Sequence, residues 1–347
     1  MRLMNWNIEH MNSWWEGGNT DPAVMHQSFG GNVFSPPITD VPALAERVGK
    51  VINAVDPDVM TIQEGPGMPE LHHFYAQFVN GTWDMLRGAG GGQALVVAAR
   101  TDRDVSISVG PDSMGQVDLS QPFRADIQAD LEIDDVEFAR KPLVVNVNVS
   151  AHSRRILLIN NHLKSKFVRD GEARFNAGGQ QRKSFFADAL EARRRISGEA
   201  FRIRAYLDAA FEADPAALII VAGDLNDGAG ADFFEENFLT HSVVDRVFGS
   251  VFHPERQLTH VLFHGGSTDF TAQFFDFIAG ETKDLVLDHV GISPGVVEDF
   301  DWQGRVAVDE YEAQRVDDPA LSERDRLPSD HRPVVVDITP RSSPVPA

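Results

Sequence analysis

The sequence predicts a mixed α/β fold of the α+β kind, with sheets of mixed strand direction covered by helices. Three observations carry that prediction. Short apolar runs that stop on polar residues recur from the first residues to about residue 338 and read as buried strands. Segments with helical spacing stand between them, in an irregular alternation that argues against a plain βαβ repeat. A hydrophobic content of 42% and a charged content of 24% over 347 residues supply a substantial core. No repeat and no composition break divides the chain, so residues 1–340 are expected to form one domain and 341–347 a flexible tail.

Taken in order, Arg2 to Ile8 alternates around Leu3, Trp6 and Ile8 and reads as the first strand. Residues 11–40 follow no period and read as a long loop, whose Trp14 and Trp15 either stack on a substrate or cover an edge of the core. Ala43 to Ala54 carries a helical apolar face, begun by Asp40 before Pro42 and ended by Asp56-Pro57-Asp58. Val59 to Gln63 is a buried strand ending on Glu64, and Glu70 to Phe78 is a helix. Residues 93–99 and 105–109 read as a strand pair joined by Thr101 to Asp104, and the acidic stretch 110–135 as loop. The alternation within Phe138 to Val149 pairs with Arg155 to Asn161. A helix from Gln181 to Phe211 presents Phe186, Leu190, Ile196, Phe201, Ile203, Leu207 and Phe211, with Gly198 as its kink. Leu218-Ile219-Ile220-Val221 is the central strand; it stops at Gly223, which allows close backbone approach, and then presents Asp224 and Asn226. Further strands are expected at 243–247, 285–292 and 333–338.

Composition bounds the function classes. The absence of cysteine removes disulfides and thiolate metal sites, so a metal would be held by Asp, Glu, Asn or His, a set suited to Mg²⁺, Mn²⁺ or Ca²⁺. A net charge of −21 argues against a protein that coats nucleic acid with its whole surface. Residues 164–204 nevertheless carry eleven Lys/Arg against five Asp/Glu, either a phosphate-tracking patch or a solvated helix face. No apolar run reaches the length of roughly 18 residues that suggests a membrane span, so no integral membrane protein is expected. No secretory signal opens the sequence, and the expected location is cytoplasmic.

Polar groups collect at the ends of the apolar strands. Asn7 interrupts the first; Glu64 ends the second; Asn161, His162 and Lys164 follow Ile156 to Ile159. Asp288 stands inside Leu287 to Val290, and Asp330-His331 leads into Val334-Val335-Val336. A buried amide needs partners, and a carboxylate on an apolar strand must be solvated, paired or bound to a cation. Any one of these residues could instead cap a turn or pair on the surface; placement of the whole set at strand ends points to one site.

The ordered set Asn5-Trp6-Asn7-Ile8, Ile62-Gln63-Glu64, Asn161-His162-Leu163, Gly223-Asp224-Leu225-Asn226, Leu287-Asp288-His289-Val290 and Ser329-Asp330-His331-Arg332-Pro333-Val334 resembles the endonuclease/exonuclease/phosphatase superfamily. The matches run from residue 5 to residue 334 in the family's order, and Asn-His-Leu-Lys-Ser-Lys is most similar to bacterial nucleases of the family. The resemblance implies two packed mixed β-sheets flanked by helices, the four-layer deoxyribonuclease-I-like sandwich. It implies a metal ligand in Glu64, with Asn7 and Asp330 completing the shell, and Mg²⁺ as the cofactor. It implies that His162 stabilises charge on a phosphate oxygen, that Asp224 and Asn226 position the attacking water, and that His331, oriented by Asp288, is the acid/base group. Asn161, Lys164 and Arg140 would face the substrate phosphate, Arg140 being equally an ordinary surface arginine. The implied function is a metal-dependent phosphodiester hydrolase, first a nuclease on DNA. The alternatives are the same chemistry on a sugar phosphate, nucleotide or lipid head group, and a non-catalytic binding protein on the same fold.

Overall fold

The computed structural model describes every residue except 18–20, 33–34, 91, 129, 131, 229–231, 240, 264–268 and 342–347. All but the first residue of the expected tail therefore lies outside the described residues. The N-terminal part holds β1 (Arg2–Asn7), α1 (Val41–Val55), β2 (Val59–Gly65), α2 (Met68–Phe78), β3 (Trp83–Arg87) and β4 (Ala94–Arg100). Next come β5 (Val105–Val109), the short strands β6 (Ser113–Met114), β7 (Val117–Asp118), β8 (Phe123–Ala125) and β9 (Asp134–Val136), then β10 (Leu143–Val149) and β11 (Ile156–His162). Helices α3 (Gly171–Ala177) and α4 (Gly179–Ala213) lead to β12 (Ile219–Asp224), α5 (Phe233–Asn237) and α6 (Val243–Phe248). The chain closes with β13 (Thr259–His260), β14 (Ala272–Asp276), β15 (Glu281–Leu285), β16 (Asp288–Ile292), α7 (Pro294–Asp299), β17 (Phe300–Val306), α8 (Val308–Glu312), α9 (Glu323–Arg326) and β18 (Val334–Pro340).

Two six-stranded sheets run in the orders β17-β18-β1-β2-β4-β3 and β13-β16-β12-β11-β10-β5. Both are mixed, because β1 lies parallel to β2 and β11 parallel to β12 while their other neighbours are antiparallel. Side chains alternate across each strand. Met4, Trp6, Met60 and Ile62 bury against α1 and α2 on one outer side. Leu3, Val59, Leu158, Ile220 and Val290 fill the space between the sheets. Ile159 and Val221 meet Ile203 and Leu207 of α4 on the other outer side. The result is helix, sheet, sheet, helix, the four-layer sandwich expected.

That alternation positions the site. Asn7, His162, Asp224 and Asp288 share strand faces with the inter-sheet residues Leu3, Leu158, Ala222 and Val290. All four stand at strand ends, where the two sheets meet a common rim. Gly223 makes this approach close: at φ 142°, a Cβ there would stand 2.0 Å from the Asn161 carbonyl oxygen.

Several expectations are corrected. The strands at 94–100 and 105–109 are consecutive but not paired: β4 lies between β2 and β3 in one sheet, whereas β5 pairs with β10 in the other. Residues 243–248 form α6 and not a strand, because the Ser242 hydroxyl accepts the Asp245 N–H and Val243 and Val247 bury on one face, four residues apart. Gly198 interrupts nothing in the 35-residue α4; a Cβ there would lie 3.1 Å from that of Ala125, so it serves close packing. Phe201, expected on the apolar face, is 54% exposed. The run 285–292 is broken between β15 and β16, and β3 and β17 had no distinct signal. Trp14 and Trp15 are buried, Trp14 edge-on to Phe74, and cover the core.

Candidate active site

Register brings three predicted residues into line. His162 of β11 is the partner of Asp224 of β12, and Asp224 is the partner of Asp288 of β16. His162 Nε2 stands 3.4 Å from Asp224 Oδ2 and 3.9 Å from Glu64 Oε1, bridging the two sheets. Asn7 donates from Nδ2 to Asp224 Oδ2 at 2.9 Å, again across the sheets. Asn226 lies past the end of β12 at φ 51° and not in extended chain. Its backbone N–H and Nδ2 both donate to Asp224, at 2.7 and 3.3 Å, and Nδ2 also donates to the Leu163 carbonyl.

A second pair adjoins the first. His331 Nδ1 and Asp288 Oδ2 are 2.6 Å apart, and His331 Nε2 is 3.8 Å from Asp330 Oδ1. The turn that carries Asp330 and His331 is pinned to β1. Ser329 Oγ donates to the Asn7 carbonyl at 2.8 Å, and Trp6 Nε1 donates to the His331 carbonyl at 2.8 Å. These bonds join residues more than 320 positions apart in sequence.

Burial divides the titratable groups. It pushes His162 well below the ordinary imidazole range, reinforced by the positive charge of Arg140, so this ring is neutral. Burial pushes the Asp224 carboxyl up to about 7, with Asp288 adding repulsion, while His331 and the donors Asn226 and Asn7 oppose the rise. For His331 burial acts against the charge, yet the carboxylates of Asp288, Asp330 and Asp224 outweigh it and hold the ring as an imidazolium. A neutral imidazole, a carboxyl able to take a proton near neutrality and an imidazolium therefore face one rim.

The donors for a hard cation fit as well. Among the described residues Asn7 Oδ1 is buried without a hydrogen-bond partner, an oxygen that a hard cation would satisfy. Glu64 adopts φ 63° at the bulge in β2; its Oε2 accepts the His10 N–H at 2.7 Å and lies 3.1 Å from His10 Nδ1. Asp330 is exposed on the pinned turn above. Asn7, Glu64 and Asp330 are oxygen donors of the kind that Mg²⁺ or Mn²⁺ takes.

The phosphate-facing set is placed differently. Arg140 is not a free surface arginine: it donates to the carbonyls of His162 and Leu163 and to Gln93 Oε1 at 3.0, 2.6 and 3.0 Å, bracing the strand end that carries His162. Asn161 points to the opposite strand face from His162 and donates to the Ile159 and Ala222 carbonyls, so the structure does not bring its amide to the cluster. Lys164 donates from Nζ to the Ser165 carbonyl, and its backbone N–H is taken by Glu199. Sequence reasoning missed His10 as the residue that orients Glu64; it sits in the loop after β1, where no periodicity marks it.

Asp227, Glu235 and His241 also bring their ligand-type atoms within 4.8 Å of one another. The Lys166 ammonium bridges both carboxylates, however, and Arg193 approaches Glu235. That cluster is an ion-pair hub holding the loop after β11 to the segment after β12.

No family model and no curated protein sequence matches the chain. Structural comparison does find likenesses. A mannosyl-6-phosphatase of Bacteroides thetaiotaomicron shares 14% identity at a TM-score of 0.51, over 98% of this chain and 99% of that one. An endonuclease/exonuclease/phosphatase family protein of the same organism shares 13% at 0.51, over 97% of each chain. A humanised D. rerio TDP2 shares 15% at 0.50, over 98% of each. At these identities the likeness establishes the fold, which is the deoxyribonuclease-I-like sandwich that the ordered motifs implied.

Proposed function

We propose that the chain is a divalent-metal-dependent phosphoester hydrolase, acting on a small phosphoester and not along a DNA duplex. The observation that carries the chemistry is the line His162–Asp224–Asp288 meeting His331, Asn7 and Glu64 at one rim. Hydrolysis adds water oxygen to phosphorus and breaks the ester P–O bond; one proton leaves the water and one must reach the departing alkoxide. Asp224, oriented by Asn7 and Asn226, suits receipt of the first proton, because burial raises its affinity. His331, charged against Asp288, suits delivery of the second. His162, neutral and enclosed, would hydrogen-bond a non-bridging oxygen as charge accumulates there. A cation held by Asn7, Glu64 and Asp330 would neutralise phosphate charge.

The substrate class follows from the charges. Four of the eleven Lys/Arg in the basic segment 164–204, Lys166, Arg174, Arg193 and Arg204, are held by Asp or Glu side chains and are lost to a phosphate-tracking patch. A polyanion would therefore meet a reduced cationic patch, on a chain whose net charge of −21 opposes its approach. The test is a panel of plasmid DNA, RNA, a bis-aryl phosphodiester and an aryl phosphomonoester, each with Mg²⁺ or Mn²⁺ and with EDTA. Metal-dependent turnover of a small ester without DNA cleavage is expected. Efficient plasmid cleavage would reverse the substrate assignment, and no turnover of any ester would remove the hydrolase reading.

A further inference from the structure

A cavity of about 460 Å³ opens beside the rim, reaching Asp330 and Glu9 at one end. Its walls come from Pro36 and Pro37, the stretch Phe270 to Gln273 and the segment from Tyr311 to Arg332. The volume lies within the range of about 300–1,000 Å³ typical of small-molecule pockets. The proposed reaction uses only its edge, so the remainder is available to the group that the phosphate is attached to.

The lining excludes three kinds of leaving group. A second phosphate or a continuing polyanion needs uncommitted cations, yet each guanidinium faces a carboxylate. Arg332 donates to Glu312 Oε1 at 2.5 Å, Arg315 lies 3.7 Å from Glu312 Oε2, and Arg324 lies 3.0 Å from Glu9 Oε2. Glu323 and Asp330 add further negative charge. A nucleobase needs an open aromatic face. The Phe270 ring is covered by the Arg332 guanidinium at 3.9 Å, and Tyr311 is buried with its hydroxyl donated to the Ser329 carbonyl. A wholly apolar group would strip water from these ion pairs without replacing its hydrogen bonds.

What the walls do offer is carboxylate oxygens with lone pairs beyond their ion pairs and the remaining N–H groups of the paired guanidiniums, together with the C–H surfaces of Pro36, Pro37 and Leu327. That pattern matches vicinal hydroxyls on a saturated ring. We propose that this cavity is the leaving-group subsite and binds a neutral polyol, a sugar carrying the phosphoester, with Glu312 as its principal hydroxyl acceptor. This rests on the hydrolase reading above and narrows it to sugar phosphates.

The test compares kcat/KM for three monoesters, a hexose 6-phosphate (glucose, mannose and galactose in turn), a nucleoside 5′-phosphate and 4-nitrophenyl phosphate. The parent is expected to prefer at least one hexose ester by at least ~10-fold, since a site that hydrogen-bonds hydroxyls discriminates against ligands lacking them. Glu312→Gln should lower kcat/KM for that ester by ~10-fold or more while changing the aryl ester less than about twofold. Equal or better turnover of the aryl or nucleoside ester, or an equal loss on all esters in the variant, would overturn the subsite. Should the parent hydrolyse no ester, the catalytic reading fails, and the subsite is judged by saturation-transfer NMR with the free hexoses and metal-free protein. Transfer to a hexose but not to a nucleoside, lost in Glu312→Gln and in the exposed Arg315→Ala, supports it. Absence of transfer in the parent overturns it. Circular dichroism verifies that both variants fold.

Discussion

Asn160 donates its amide hydrogens to the carbonyls of Ile62 and Val96 at 3.1 and 2.9 Å and accepts from Gln63 Nε2 at 2.7 Å. Gln63 and Thr61 in turn donate to Asn5 Oδ1, so a fully buried polar ladder ties the sheets together directly beneath the site. Asn160→Ala leaves the two carbonyls and the Gln63 amide short of partners, each loss costing about 1–3 kcal/mol. Its urea midpoint should fall with an unchanged m value; a midpoint equal to the parent's would mean that water fills the gap. The roles proposed for the rim residues predict an effect on rate instead. His162→Ala and His331→Ala should each lose at least ~10²-fold in kcat on a small ester while remaining folded by circular dichroism. Near-parent turnover in either would remove that ring from its step. The rim residues were legible because charge on an apolar strand is costly and therefore conspicuous. Asn5 and Asn160 carry the same signature on the same strand faces as Asn7 and His162, two residues further from the strand ends, and only depth between the sheets separates the buried ladder from the site. Asp224 and Asn226 meet through a left-handed turn at Asn226, a conformation that Asn adopts more readily than most residues and that no strand pattern announces.

Between elements, charge and pairing decide what the chain can tolerate. Lys166 holds Asp227 and Glu235, whose side chains are only 3% and 5% exposed. Lys166→Gln leaves two enclosed carboxylates with less compensation and should cost about 3–5 kcal/mol, read as a lower thermal or urea midpoint. An unchanged midpoint would show the hub to be dispensable. At the junction of β13 and β16, His260 Nε2 and His289 Nδ1 lie 2.8 Å apart, and His289 Nε2 contacts the Asp227 carbonyl. Burial pushes His260 down to about 2, with His289 adding repulsion. Above pH of about 6.5 both the folded and unfolded chains hold a neutral His260, and it contributes no pH dependence. As pH falls below that value, the unfolded chain takes a proton that the folded chain refuses, so this group's contribution to stability declines by up to about 1.4 kcal/mol per pH unit. His260→Phe removes the term and keeps an aromatic ring between Phe248 and Phe263. The stability advantage of the parent over this variant, whatever its size at pH 7, should shrink between pH 6.5 and 5; a constant difference would contradict the assignment. Elements with strong local patterns, such as α1 and β12, were legible from periodicity and caps. The β4–β5 connection was misread because sequence adjacency suggests a hairpin, whereas each strand found its partners in a different sheet. The run at 243–248 was misread because β-branched residues outweighed the Ser242 cap in the pattern, and burial of one helical face reversed the outcome.

For the molecule as a whole, the six ordered segments conveyed the architecture even though the pairings they produce span hundreds of residues. Strand β1 lies beside β18, Arg2 opposite Asp337, and no local pattern announces that register. The order of polar strand ends was informative because one cleft must be assembled from both sheets. The same assembly makes a prediction about stability. Asn7 and Glu64 come from the first sheet, Asp330 from the turn leading into β18, and His162 and Asp224 from the second sheet. A cation held across these parts binds the folded chain and finds no such arrangement in the unfolded one, so it must stabilise the fold by mass action. At a free Mg²⁺ or Mn²⁺ concentration of about 100 times Kd, the gain should be about 2.7 kcal/mol. Urea unfolding with metal and with EDTA measures it without reference to any substrate. Glu64→Gln keeps the side chain's size and removes its charge; it should abolish most of the metal-dependent shift and leave the EDTA midpoint near that of the parent. A shift that survives in Glu64→Gln and disappears in a variant of the Asp227–Glu235 hub would move the cation to that hub. The roles proposed for Asn7 and Asp330 would then fail together, because the buried Oδ1 of Asn7 could not serve a cation held at the hub.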